Sequence, residues 1–198
     1  MPLLKIPRLI LASASPRRAT LLSQIGLTFE VYPSKIQEPK PPNDVTPEVV
    51  TQQLASLKAQ DVAKRYTEGI VIGADTLVSF KKELLGKPEN NKHALQMLTK
   101  LSNKCHSVVT GVSLINLKEN REITWSEVTK VYFRKISKDE ILYYINSGEA
   151  NDKAGAYGIQ GRGAAFVKRI EGCYFNVVGL PLASLVEQIV DFVPDVSI

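Results

Sequence analysis

Leu9-Ile10-Leu11-Ala12-Ser13-Ala14-Ser15-Pro16-Arg17-Arg18 holds a complete change of backbone geometry. The apolar run reads as a short buried strand over Arg8 to Ala12, and the polar residues after it carry the grammar of a helix start: Ser15 at the N-cap and Pro16 at the first helical position. The spacing predicts a helix over Arg17 to Ile25, closed by Gly26. Strand, tight loop and helix in immediate succession open an α/β fold. Lys5 and Arg8 imitate the charged start of a secretory signal, but the apolar run Leu9 to Ala12 falls short of the roughly 7–15 residues that a signal needs.

Outward from there the alternation continues. A second strand is expected over Thr28 to Tyr32, leading through Glu38 into the stiff loop Pro39-Lys40-Pro41-Pro42. Thr46-Pro47-Glu48 starts a helix whose apolar positions Val50, Leu54, Leu57 and Val62 carry it to about Arg65, with Lys58 riding on it. Gly69 to Phe80 is β-branched and apolar, and Lys81-Lys82-Glu83 turns it back through Leu84-Leu85 as a hairpin. A short helix follows over His93 to Leu101. Two long antiparallel strands are then expected over His106 to Leu117 and Glu122 to Ile136. Ser137 and Glu140 form a capping box for a helix to Asn146, stopped at Gly148. Ala164 to Ile170 and Tyr174 to Val178 read as a hairpin around Glu171-Gly172, and Pro181 opens a last helix to about Phe192. The whole is α/β with a mixed sheet, without repeats, organised as one continuous fold over residues 1–198.

Composition narrows the partners. A chain of 198 residues, 44% hydrophobic and 23% charged, folds around a core rather than remaining disordered. Its richest apolar segments are interrupted by Asp75, Pro181 or Glu187, so no membrane span is expected. Cys105 and Cys173, without a secretory signal, read as reduced thiols of a cytoplasmic protein. The net charge of +5 favours an anionic partner, and leaves nucleotide, nucleic acid and anionic lipid open.

Three constellations can carry chemistry. Ser13 to Arg18 sets two hydroxyls and two guanidiniums at a helix N-terminus, which is either a phosphate cradle or an ordinary capped helix with exposed arginines. In Gly73-Ala74-Asp75-Thr76 a carboxylate interrupts a core strand, so Asp75 is hydrogen-bonded to nearby backbone, coordinates a metal or opens into a cleft where it polarises water. Ala154 to Ala164 is glycine-rich: a backbone open to close approach by a flat ligand with Gln160 reading a base edge, or a structural turn before a strand. Lys58, Lys87 and Lys153 are isolated cations, each also explicable as a surface lysine. His93, Cys105, His106 and Cys173 lack the pairings of a zinc site, no serine-hydrolase elbow is present, and Trp125 with the tyrosines reads as strand packing.

Leu11 to Arg18, Gly73 to Thr76, Leu85-Gly86-Lys87-Pro88, Asp152 to Gly161 and Asn176 to Pro181, in this order, resemble the Maf family of nucleoside triphosphate pyrophosphatases from about Leu9 to Leu185. The resemblance implies an inosine triphosphatase-like (Maf/Ham1-like) fold, with a long mixed sheet, surrounding helices and two lobes flanking a cleft, and it implies homodimers. It further implies hydrolysis between the α and β phosphates with a divalent metal, Mg2+ with Mn2+ as the alternative, and no stable nucleic-acid partner. Tyr157-Gly158-Ile159-Gln160 with Thr76 is similar to the branch acting on dTTP and UTP. On this resemblance Asp75 falls on the general base and a metal position, and Glu38 on a second metal carboxylate. Arg18, Thr76 and Gln160 fall on positions of substrate choice, and Ser13, Lys58 and Lys87 on polar and cationic positions of the substrate site. The rival reading is a nucleotide-sensing or nucleic-acid-binding regulator without turnover, which a steep salt dependence of binding would reveal.

Overall fold

The computed structural model describes residues 7–39 and 45–193. Strand β1 (Leu9–Leu11) leads into helix α1 (Pro16–Gln24), and β2 (Phe29–Val31) is followed by α2 (Pro47–Ala63). Next come β3 (Ile70–Phe80), β4 (Glu83–Leu85), α3 (Asn91–Leu101), β5 (Cys105–Asn116) and β6 (Arg121–Phe133). The described residues continue with α4 (Lys138–Asn146), β7 (Val167–Glu171), α5 (Tyr174–Val178) and α6 (Leu182–Phe192). One seven-stranded mixed sheet has the order β2-β1-β3-β5-β6-β7, with β4 paired to β3. The fold is therefore the mixed α/β architecture expected from the sequence.

Two compact units divide the chain, with boundaries inside β3, β5 and β6 and a fourth directly after α5. The first comprises the described residues of Met1–Asp75, Thr110–Glu127 and Gly179–Ile198; the second comprises Thr76–Val109 and Val128–Val178.

In the first unit β1 pairs in parallel with both β2 and β3, so its neighbours cover both edges and Leu9, Ile10 and Leu11 are wholly buried. Ile10, Ala12 and Val71 pack with Ala59 and Val62 of α2. Helix α2 lies unusually close to the sheet, and two glycines permit it. A Cβ on Gly73 of β3 would stand 2.1 Å from the Ala55 carbonyl oxygen, and one on Gly111 of β5 would stand 2.2 Å from the Thr51 carbonyl carbon. Thr51, Ala55 and Ala59 recur every four residues on the face that makes this contact, where a bulkier side chain would push the helix away.

In the second unit Val78, Leu98, Leu101, Val131, Phe133, Tyr144 and Phe166 belong to one apolar core. Lys81 and Lys82 take left-handed backbone (φ 51° and 69°), forming the two-residue turn whose twist suits the β3–β4 hairpin. The Asn90 side chain accepts from the His93 amide at 2.9 Å, which starts α3 earlier than His93. Ser137 and Glu140 make the expected capping box.

The hairpin expected around Glu171-Gly172 is not formed. Ala164 to Phe166 belongs to a 3-10 turn over Gly161–Phe166, β7 pairs antiparallel with β6, and Tyr174–Val178 is the short helix α5. Distant partners decide this. The buried Asn176 amide donates to the Val108 carbonyl and to Thr129 Oγ1, while Thr129 Oγ1 donates to the Cys173 carbonyl. These bonds fix a helical turn where local β propensity favoured a strand.

Gly73→Ala and Gly111→Ala should each lower stability by about 1–3 kcal/mol or more, the scale of an overpacked core. Gly86→Ala, whose Cβ would meet nothing within 4 Å, is the control and should stay near wild type. Urea midpoints check this, and an unchanged midpoint for Gly73→Ala would show that the helix does not depend on the close approach.

Candidate active site

The strand order β2-β1-β3 places a topological switch at β1. The chain leaves β1 through α1 to reach β2 and returns through α2 to β3; right-handed crossovers therefore put α1 and α2 on opposite faces. The loop after β1 and the continuing β3 diverge at this point, where open α/β sheets bind their ligands. The Ala12 amide donates to the Ile72 carbonyl at 2.8 Å, so Ser13 follows directly beside Gly73-Ala74-Asp75.

Ser13 is buried, and its hydroxyl organises the loop. Ser13 Oγ accepts from the Ser15 amide at 3.2 Å and from Arg18 Nη1 at 3.0 Å. Ser15 occupies the N-cap of α1, but its side chain makes no capping bond. Arg18 Nε donates to the Gly179 carbonyl at 2.8 Å, so the buried guanidinium is held in one orientation by two bonds. Burial lowers the Arg18 pKa from its ordinary value, while the nearby Asp75 and Glu38 charges oppose that shift. The arginine-bearing loop and the carboxylates thus share one electrostatic neighbourhood.

Lys58 links those carboxylates. Its Nζ lies 2.6 Å from Asp75 Oδ1 and 2.7 Å from Glu38 Oε1. The Lys58 and Asp75 side chains are only 14% and 10% exposed, so this is a largely desolvated pair, whereas Glu38 is 54% exposed and anchors the outer side. Among the described residues Asp75 Oδ2 is buried without a hydrogen-bond partner. A buried carboxylate oxygen left in this state is costly unless a ligand or water completes it. Val71, Gly73 and Asp75 alternate onto the same strand face, which α2 covers. The close approach of α2 at Gly73 is therefore also what brings Lys58 to Asp75.

Among the described residues no group of three or more His, Cys, Asp and Glu could hold a metal by itself. The Glu38 and Asp75 pair nevertheless fits a hard divalent cation: two carboxylate oxygens already converge on one positive centre, and a further buried oxygen stands unpartnered. Mg2+ characteristically takes one or two carboxylates and fills its octahedron with water and phosphate oxygens.

Ser13, Arg18, Glu38, Lys58 and Asp75 all belong to the first unit. Thr76, Lys87 and Gln160 belong to the second. Thr76 is half-buried on β3, and Lys87 and Gln160 are exposed. The Gly155 amide donates to the Gly86 carbonyl at 3.0 Å, so the turn with Lys87 and the glycine-rich loop adjoin within this unit. Gly155 has φ of 65° and would meet Val78 at 2.9 Å if it carried a Cβ, which explains the glycine there. Lys153 is no isolated cation: its Nζ pairs with Asp152 and donates to the Glu149 carbonyl.

Beside this loop His106 Nε2 lies 2.7 Å from the Tyr157 hydroxyl, both side chains being buried. Burial lowers the His106 pKa from 6.5 to about 4 and raises that of Tyr157, so both groups are neutral near pH 7. Cys105 and Cys173 are free thiols, and Trp125 packs from β6 with its indole donating to Ser184. Sequence reasoning missed the Gly179 carbonyl as acceptor for Arg18 and missed the structural service of Gly73 and Gly111. An isolated glycine inside a strand pattern is itself the signal of close backbone approach.

The profile of the family described as Maf-like protein matches residues 8–192. A dTTP/UTP pyrophosphatase of Acetivibrio thermocellus is 48% identical over 93% of this chain and 95% of its own length. One of Carboxydothermus hydrogenoformans is 47% identical over 92% of this chain and 97% of its own. Among solved structures, a nucleoside-triphosphatase, dITP/XTP pyrophosphatase, of Mycobacterium abscessus gives a TM-score of 0.47 at 13% identity over 95% of this chain and 99% of that one.

The buried imidazole makes stability depend on pH. The unfolded chain takes up the His106 proton near pH 6.5 and the folded chain only near 4, so stability is complete above 6.5 and falls as pH drops through that window. At about 1.4 kcal/mol per pH unit, the loss between pH 6.5 and 5 should be about 2 kcal/mol. Urea midpoints should show this decline for the wild type and a flatter profile for His106→Gln. Equal slopes in the two proteins would remove His106 as the cause.

Proposed function

The chain belongs to the Maf family, and from that premise we propose that it hydrolyses dTTP and UTP to the monophosphate and pyrophosphate. The observation that carries this reading is the cluster at the switch point, where Lys58 and the oriented Arg18 stand with Asp75, whose Oδ2 lacks a partner among the described residues. A triphosphate needs cations, and its hydrolysis needs a base for water. Both are present within one unit.

Asp75 Oδ2 accepts the proton of the attacking water, while Lys58 on Oδ1 fixes the orientation of the carboxylate. Water adds in line to the α-phosphorus as the bond to the bridging oxygen breaks, and pyrophosphate leaves with that electron pair. Arg18 and Lys58 stabilise the charge that develops on the phosphate oxygens. Ser13 acts through Arg18, holding the fork of the guanidinium. Glu38 and Asp75 would hold a divalent cation, Mg2+ or Mn2+, which would supply Lewis-acid polarisation of the phosphate oxygens.

On the family resemblance Lys87 is assigned to phosphate binding, and Thr76 and Gln160 to substrate choice. The Gln160 amide offers one donor and one acceptor face, the complement of the imide edge of uracil or thymine. The free thiols of Cys105 and Cys173 support a reducing, cytoplasmic setting. None of the described helices is long and apolar enough to cross a membrane. We assign the homodimer on the family resemblance alone.

Asp75→Asn should reduce turnover by about 10²-fold or more with nucleotide binding largely kept, the scale of a general base. Pyrophosphate release from dTTP and UTP, measured beside nucleotide binding, checks this; near-normal turnover would take Asp75 out of the role. Chelation of divalent cations should abolish release, and added Mg2+ should restore it. Undiminished hydrolysis in chelator would count against the metal assignment.

A further inference from the structure

Gln160 occupies the N-cap of the 3-10 turn Gly161–Phe166, yet its side chain makes no capping bond. The work of a cap is done from elsewhere. Glu149 Oε2 accepts from the Arg162 amide at 3.1 Å, and Glu149 Oε1 lies 3.7 Å from Arg162 Nε. The Gly161 backbone, at φ 67°, passes so close that a Cβ there would stand 2.7 Å from Glu149 Oε2. Glu149 is itself tied back, because its amide donates to Ser147 Oγ and its carbonyl accepts from Lys153 Nζ at 2.7 Å.

The other end of the loop is held independently. The Gly158 amide donates to the Tyr144 hydroxyl at 3.2 Å, and Gly158 is so close to the Lys153 stem that a Cβ would lie 2.8 Å from Cε. Gln160 therefore sits between two fixed points, Gly158 and Arg162, with its side chain exposed. Ser, Thr, Asp or Asn at an N-cap ordinarily spends its side chain on the backbone of its own turn, whereas the longer Gln side chain is not suited to that bond. Here a carboxylate from outside takes that place, with the stronger bond of a charged acceptor, and the amide of Gln160 is left to a ligand.

We propose that Glu149 is a positioning residue for nucleobase selection, acting through Gln160 by fixing the Arg162 amide. The inference rests on the reading of Gln160 given under Proposed function. Without the Glu149 carboxylate the Arg162 amide loses its acceptor, the backbone on the Gly161 side of Gln160 is no longer fixed, and discrimination between an imide base and one presenting an amino group is lost. Glu149 touches no substrate and contributes nothing to phosphoryl chemistry.

The test measures kcat and KM for UTP and CTP in the full chain, for wild type, Glu149→Ala, Glu149→Asp and Glu149→Gln, with Gln160→Ala as the reference for lost base reading. For Glu149→Ala the ratio of kcat/KM between UTP and CTP should fall about tenfold, mainly through a raised KM for UTP, with kcat within about twofold. Glu149→Asp, one methylene too short, should behave similarly, and decides the question if Glu149→Ala does not fold. Glu149→Gln retains an acceptor oxygen and should keep the ratio within about threefold. A wild-type ratio in Glu149→Ala or Glu149→Asp, or equal loss on both nucleotides, would overturn the proposal. No pyrophosphate from any triphosphate in the wild type would overturn the parent reading as well, and equal effects of Gln160→Ala on UTP and CTP would locate the failure in Gln160 rather than in Glu149.

Discussion

The ammonium of Lys58 between Asp75 and Glu38 is the interaction on which the candidate site depends. Desolvating a charge costs several kcal/mol, and the attraction to a partner commonly does no more than offset it. Such a pair contributes little net stability, yet removal of one member typically costs 3–5 kcal/mol because the other remains buried alone. An aliphatic pair would serve the core as well. Two charges placed where α2 crosses the middle of β3 are therefore explained by chemistry rather than by packing, and Asp75 Oδ2, unpartnered among the described residues, points the same way.

The geometry that permits this pair is backbone geometry. Gly73 and Gly111 remove the Cβ atoms that would separate α2 from the sheet, and Thr51, Ala55 and Ala59 keep the opposing helix face small. A long lysine on a helix held farther out would meet solvent before it met Asp75. Arg18 reaches the same neighbourhood from the opposite helix by a different device. Its guanidinium is fixed on the Gly179 carbonyl and Ser13 Oγ, at the cost of the desolvation that lowers its pKa. Rigid cations lose less freedom when an anion arrives, which is how preorganisation adds to binding.

Elements with their own local signals were legible in the sequence. Pro16, the Thr46-Pro47 start, the capping box at Ser137 and the turn at Lys81-Lys82 each mark a boundary that the structure keeps. Tyr174–Val178 was not legible, because the bonds that make it helical come from Val108 and Thr129, remote in sequence. Its β-branched and aromatic residues express a strand preference that tertiary hydrogen bonds override.

The site divides along the same line. Asp75 announces itself, since a carboxylate within Ile70-Val71-Ile72 and Leu77-Val78 conflicts with the core around it. Lys58 does not: on a helix, a lone lysine has the pattern of a solvated side chain, and only the family resemblance assigned it to the substrate site. Its pairing is carried by the glycine in β3 and the small residues four apart in α2, a conjunction that no single window of sequence contains. Glu149 is hidden more deeply, because a glutamate just after a helix has an ordinary place in solvent. What exposes it is the neighbour it serves, a glutamine at an N-cap that leaves its own turn uncapped.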